Sequence, residues 1–190
     1  MNENNVGNLM LESLSSGTHA LTENKAAMLK ESCVWCLTKC EHSNGVIIES
    51  LFCDRSDCYR VIWDEGSINL DNILRAYNSD DAIEFGAEAI TFLLIREHTP
   101  YTAIERAVKG TGIDYWLGYK PDNPTIIFST TDARLEITGI LKERGTNTIK
   151  NRIKIKMKQT ETSDHTFPVY ISVIEFSRPK AEMVIKNANN

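Results

Sequence analysis

The sequence predicts an α/β (α+β) domain in which a central mixed sheet is flanked by helices. Three observations predict it. Short runs rich in β-branched and aromatic residues alternate with helical patterns along the chain. One of those patterns, Asp81 to Glu97, is long and apolar around much of its girth, as a core helix is. A basic segment, Thr148 to Gln159, stands between two strand-like runs, and parallel strands need such a crossover. The 190 residues suit one compact domain, and 42% hydrophobic with 25% charged content excludes disordered and fibrous classes.

Residues 1–17, rich in Asn, Ser and Gly, read as a mobile tail. Residues 18–80 read as an N-terminal extension and residues 81–190 as the core. In the extension, Thr22 is placed to cap a short helix over 22–31. Val46–Cys53 and Cys58–Trp63 predict a hairpin around the polar turn 54–57, and Ile68–Tyr77 a short helix. Ser79-Asp80-Asp81 is the expected cap of the core helix. Pro100 to Val108 predicts a second short helix, with proline in its first turn. Gly110-Thr111-Gly112 then opens a strand that carries Asp114. After a proline-bounded turn, Ile126–Ser129 predicts a brief strand, Arg134–Leu141 a strand carrying Glu136, and Pro168–Phe176 a final buried strand stopped by Pro179. The segment 148–159 fits both periods. Ile153, Ile155 and Met157 alternate with Lys, whereas Ile149, Ile153 and Met157 follow helical spacing, and the order of elements favours helix.

A net charge of −5 argues against binding nucleic acid with the whole surface, but the distribution is uneven. From Lys142 to Lys158 there are seven Lys or Arg and one acid, Glu143. That run reads either as a solvated face or as a strip that contacts phosphates. No apolar run approaches the roughly 18 residues of a membrane span, and the N-terminus lacks a secretion pattern, so a cytoplasmic protein without membrane contact is expected. Cys33, Cys36, Cys40, Cys53 and Cys58 lie within 26 residues. Their loose spacing and odd number suit small buried hydrophobes better than a thiolate zinc site or disulfides.

The chemistry-bearing feature is a pair of acids, each inside an apolar, strand-forming run: Asp114 in Gly112–Gly118 and Glu136 in Ala133–Gly139. Carboxylates are rarely buried unless paired or holding a metal. On neighbouring strands they would form a hard oxygen site suited to Mg²⁺ or Mn²⁺. Each also has a plainer use. Asp114 could accept from backbone N–H groups at a strand end, and Glu136 could pair with a neighbouring base.

From Asp81 onward, the order of core helix, strands bearing Asp114 and then Glu136, basic amphipathic segment and buried strand resembles the PD-(D/E)XK nuclease superfamily, the restriction-endonuclease-like fold. The resemblance covers roughly residues 80–178. It implies a metal-dependent nuclease acting on nucleic acid, DNA before RNA, with Asp114 and Glu136 as the metal-holding acids. It offers Glu84, or Glu88 one turn later, as the acid of the first helix, with Glu84 supporting the metal site or ligating a second ion. The sequence departs from the family at Glu136-Ile137-Thr138, where Thr138 replaces the family's lysine. In some members the following helix supplies that lysine, which makes Lys156 or Lys154 the candidate electrostatic catalyst. Lys150, Arg152, Lys154, Lys158 and Gln159 are then candidate contacts to nucleic acid. The departure also admits a catalytically inactive interaction subunit with a protein partner, in a bacterial defence or mobile-element system.

Overall fold

The computed structural model describes residues 6–120, 131–163 and 167–187, and the strand expected at 126–129 lies outside them. In chain order the elements are β1 (Val6–Met10), α1 (Glu23–Lys39), β2 (Ile47–Phe52), β3 (Arg55–Ile62), α2 (Leu70–Ala76) and α3 (Ser79–His98). There follow β4 (Tyr101–Arg106), β5 (Tyr115–Tyr119), β6 (Thr131–Ile140), α4 (Ile149–Gln159), β7 (Val169–Glu175) and β8 (Lys180–Lys186). The eight strands form one mixed sheet in the order β1-β3-β2-β8-β7-β6-β5-β4. Thus the α/β class with a helix-flanked mixed sheet is the observed one.

Helices α1 and α3 cover one face. The Thr22 hydroxyl accepts from the Lys25 N–H at 3.2 Å, as its position before an amphipathic run predicts, but α1 continues eight residues beyond the expected end at residue 31. The extension buries Cys33, Val34, Cys36 and Leu37. The cap of α3 is Asn78, whose side-chain oxygen accepts from Asp81 N at 3.0 Å, one residue before the expected cap. The Thr91 and Ser172 hydroxyls meet at 2.8 Å where α3 crosses β7. Helix α4 covers the opposite face, with Ile149 and Ile153 packed on Ile140 and Val173. Its Thr148 cap accepts from Asn151 N, and helical period prevails over strand alternation in this segment.

Four expectations are corrected. Residues 101–106 form strand β4, not a helix. Pro100 forces its predecessor out of the helical region, so Thr99 is extended (φ −135, ψ 161), α3 stops, and Tyr-Thr-Ala-Ile enters the sheet beside β5. Val6–Met10, expected in the tail, pairs in parallel with β3 and buries Leu9; Leu11 and Leu14 follow it into the core. The hairpin closes at Cys53-Asp54, because Phe52 already pairs with Arg55; Cys53 takes φ 52 to make the turn. Finally, Pro179 does not end the sheet. Lys180–Lys186 returns antiparallel to β7, with Ala181 and Met183 inward. Strands β1 to β3 join the sheet through β2 and β8, so the N-terminal extension and the core share one sheet.

Candidate active site

The site arises where the sheet divides. Strand β5 pairs with β6 only as far as Tyr115 opposite Leu135, while β6 continues to Ile140 beside β7. Before β5 the chain swings out through Gly110 (φ 96) and Gly112 (φ 76), conformations that favour glycine. Asp114 sits at the fork. Its N–H donates to Leu135 O at 2.9 Å, and its carbonyl accepts from Ala107 N at 2.8 Å. Its Oδ2 accepts from the Ile137 N–H at 2.8 Å, one of the β6 donors that β5 no longer reaches.

Glu136 is on the α4 side of β6, since Leu135 and Ile137 belong to the core with α1 and α3 while Ile140 packs on α4. It is 4% exposed. Lys156, two turns into α4, places Nζ 2.5 Å from Glu136 Oε1. Burial pushes the Glu136 carboxyl up to about 7, the neighbouring Asp114 pushes the same way, and the Lys156 ammonium opposes both. The two acids therefore adjoin, with one cation on one of them.

Two open lobes share Glu84 and Asp114, with cavity volumes of about 680 and 550 Å³. The first adds Arg106, Lys109, Glu136 and Gln159. The second adds Asp80, Lys142, Arg152 and Lys156. Such openings exceed what a small ion needs.

The candidates of the sequence fall into three groups. Asp114, Glu136 and Lys156 come together. Glu84 lines the cleft but stands apart from the acid pair: its side chain is 60% exposed and its ion partner is Arg106 at 4.0 Å. Glu88 is 2% exposed and faces away, holding the Tyr115 hydroxyl at 2.9 Å, Lys25 at 3.4 Å and Arg106 at 3.5 Å. Of the basic strip, Arg152 and Gln159 reach the cleft, while Lys154 and Lys158 are exposed on the outer side of α4 and Lys150 lines a separate groove. Thr138 also borders the cleft.

Among the described residues no group of three or more His, Cys, Asp or Glu converges as metal ligands. The donor set is thus the Asp114–Glu136 pair. Two adjoining carboxylates with a deficit of positive charge fit a hard divalent ion, and Mg²⁺ commonly uses one or two protein carboxylates and keeps several waters. The cysteines lie elsewhere. Cys36 donates to Ala82 O at 3.2 Å and Cys40 to Leu141 O at 3.4 Å, and burial raises all three thiols of α1 and its cap.

Sequence reasoning misses Arg106, because its segment reads as a helix; it places Lys142 in the basic strip and Asp80 in the cap of the core helix without assigning either to the site. It also misses a line of Ser50, His98 and Asp57. There, Ser50 Oγ is 3.0 Å from His98 Nε2, but Asp57 is 3.9 Å from Nδ1. Ser50 is 2% exposed, and the imidazole stacks on Phe52 at 5.0 Å, so the group is a packing unit without access to substrate. Comparison with family models, with curated proteins and with solved structures finds no match.

The raised Glu136 carboxyl has a measurable consequence. The folded state holds this proton more tightly than the unfolded state, where the ordinary value is 4.5. Stability from this group is therefore full below about 4.5 and lost as pH rises through about 7. Thermal melts from pH 5 to 8 should show Glu136→Gln gaining on the wild type across that window and exceeding it at pH 8. A wild type that instead gains relative stability over the same window would mean that the Lys156 pairing outweighs burial.

Proposed function

We propose that this protein hydrolyses phosphodiester bonds of nucleic acid, DNA before RNA, as a Mg²⁺- or Mn²⁺-dependent nuclease resembling the PD-(D/E)XK superfamily. One observation carries the reading: the Lys156 ammonium rests on Glu136 beside Asp114 at the mouth of an open cleft. The lysine absent at Thr138 is thereby supplied from the next helix. The order α3, the antiparallel β4-β5-β6, α4, and β7 parallel to β6 supports the same likeness.

Asp114 and Glu136 would hold the ion, which polarises a phosphoryl oxygen and activates water when bound. Asp114 is fixed by the Ile137 N–H, so its second oxygen is oriented without loss of freedom on binding. Lys156 opposes the rise of the Glu136 carboxyl, so a larger fraction is ionised near neutrality, and it would face the negative charge that develops as the bond breaks. Arg152 and Gln159 position the backbone without reading bases. Five free thiols suit the cytoplasm, where cysteines stay reduced.

The test is cleavage of plasmid, linear duplex and single-stranded DNA with Mg²⁺ or Mn²⁺, paired with thermal melts. The ion should raise the melting temperature of the wild type and not of Asp114→Asn. A second reading, an inactive accessory subunit, rests on Thr138 and on the closed Lys156–Glu136 pair. It would be favoured by absence of both cleavage and the thermal shift.

A further inference from the structure

The cleft continues into a second hollow that the proposed chemistry does not use. The two share Leu141 and Lys142, and the second has a volume of about 700 Å³. Its walls are the end of α1, the start of the β6–α4 turn and the β7–β8 turn. Four cations line it, Lys39, Lys142, Arg144 and Arg178, against two acids, Glu41 and Glu143. All four cations are exposed to solvent.

One acid cancels one of them: Glu143 Oε2 pairs with Arg178 at 2.5 Å, while its Oε1 accepts from the Ile149 N–H at 2.8 Å. Lys39, Lys142 and Arg144 then stand against Glu41. The end of α1 does not aim bare carbonyls into the hollow. The N–H groups of Cys40, Glu41 and His42 return to the carbonyls of Cys36, Thr38 and Leu37. The two lobes of the cleft differ in charge from this hollow. Lys142, Arg152 and Lys156 face Asp80, Glu84 and Asp114 in one, and Arg106 and Lys109 face Glu84, Asp114 and Glu136 in the other. One is balanced and the other acidic, so the excess of positive charge lies on one side of the acid pair.

We propose that this hollow is a backbone track for nucleic acid. A strand whose reacting phosphate lies at Asp114 and Glu136 crosses the saddle at Leu141 and Lys142, and its next phosphates meet Arg144, Lys39 and Arg178. The protein then grips one flank of the cleaved bond. Exposed Lys and Arg at such a groove act by displacing counterions, so binding through it is strongly salt-dependent and indifferent to sequence. The assignment of the reacting phosphate rests on the nuclease reading, whereas the track itself can be tested without cleavage.

The experiment is fluorescence anisotropy of labelled 20-nucleotide single strands and 20-base-pair duplexes, in EDTA, over a series of salt concentrations. The double variant Lys39→Glu/Arg144→Glu should bind about tenfold or more weakly, with the salt slope reduced by roughly 0.7–0.9 for each phosphate no longer neutralised. The control Lys154→Glu/Lys158→Glu makes the same change of net charge on the outer side of α4 and should stay within about threefold of the wild type. Equal weakening in the two variants, or no binding by the wild type at low salt, would overturn the track. If the wild type binds as expected but never cleaves with either metal, the track stands and the nuclease reading falls. If it cleaves but the Lys39/Arg144 variant binds normally, the track falls and the nuclease reading stands.

Discussion

Replacing Lys156 by methionine is expected to lower cleavage on the order of a hundredfold or more, the usual cost of removing a group that stabilises charge in a transition state. Methionine keeps the length and the apolar stem, so α4 can remain packed through Ile149 and Ile153. What disappears is the ammonium 2.5 Å from Glu136. That loss has two parts, which pH separates. Without Lys156, burial and Asp114 act on Glu136 unopposed, so its carboxyl rises further and a smaller fraction is ionised near neutrality. Part of the defect at pH 7 is therefore loss of the anion, and it should recover at pH 8.5 to 9. The rest is loss of charge stabilisation during the reaction and should not recover. Asp114→Asn should instead weaken ion binding and cleavage together at every pH, because the amide cannot replace an anionic ligand. The measurement is kcat and ion affinity for both variants between pH 6.5 and 9. Full activity of Lys156→Met at pH 9 would reduce Lys156 to a regulator of Glu136 ionisation, and full activity at pH 7 would remove it from the mechanism.

The acid pair was legible because its signal is local. An acid between β-branched and aromatic neighbours is unusual anywhere, and two such runs in succession suggest neighbouring strands. Helix α4 was legible only through context, since Ile149–Gln159 fits two periods and the need for a crossover decided between them. Strands β4 and β1 were not legible, for different reasons. At β4, Pro100 is compatible with a helix start and with a helix stop, and only the partner β5 distinguishes the two. At β1, Val-Gly-Asn-Leu-Met has weak strand propensity, and its ladder partner β3 is some fifty residues away. The division of the basic strip was half visible. Arg152, Lys156 and Gln159 share a stripe by spacing, but which stripe faces the acids depends on how α4 lies on the sheet. The second basic hollow joins Lys39, Arg144 and Arg178 from three separate turns, which no local pattern could anticipate.

Gly139→Val is expected to destabilise the fold by about 3 kcal/mol or more, the upper end of what overpacking costs. Gly139 lies on β6 under the first turns of α3. A Cβ there would collide with the Ile83 carbonyl oxygen and stand 2.6 Å from Ile83 Cγ2. The side-chain methyl could rotate away, but the carbonyl belongs to the helix backbone and can retreat only if α3 does. One turn further along, α3 is again closely seated, since a Cβ at Gly86 would meet Phe176 Cζ at 3.1 Å and Cys33 Cα of α1 at 3.2 Å. The helix thus has little slack at either glycine, and relief requires tilting its N-terminal end outward. That end carries Asp80 and Glu84, which line the cleft. Gly139→Ala should therefore show a smaller loss of stability together with a changed cleft, while Gly110→Ala, where a Cβ meets nothing within 4 Å but φ is +96, should cost only backbone strain. Urea denaturation gives the stability order, wild type above Gly110→Ala above Gly139→Ala above Gly139→Val. A Gly139→Val protein as stable as the wild type would mean that α3 does not seat on β6 at this residue, and the close approach that aligns Glu84 with the cleft would have to be abandoned.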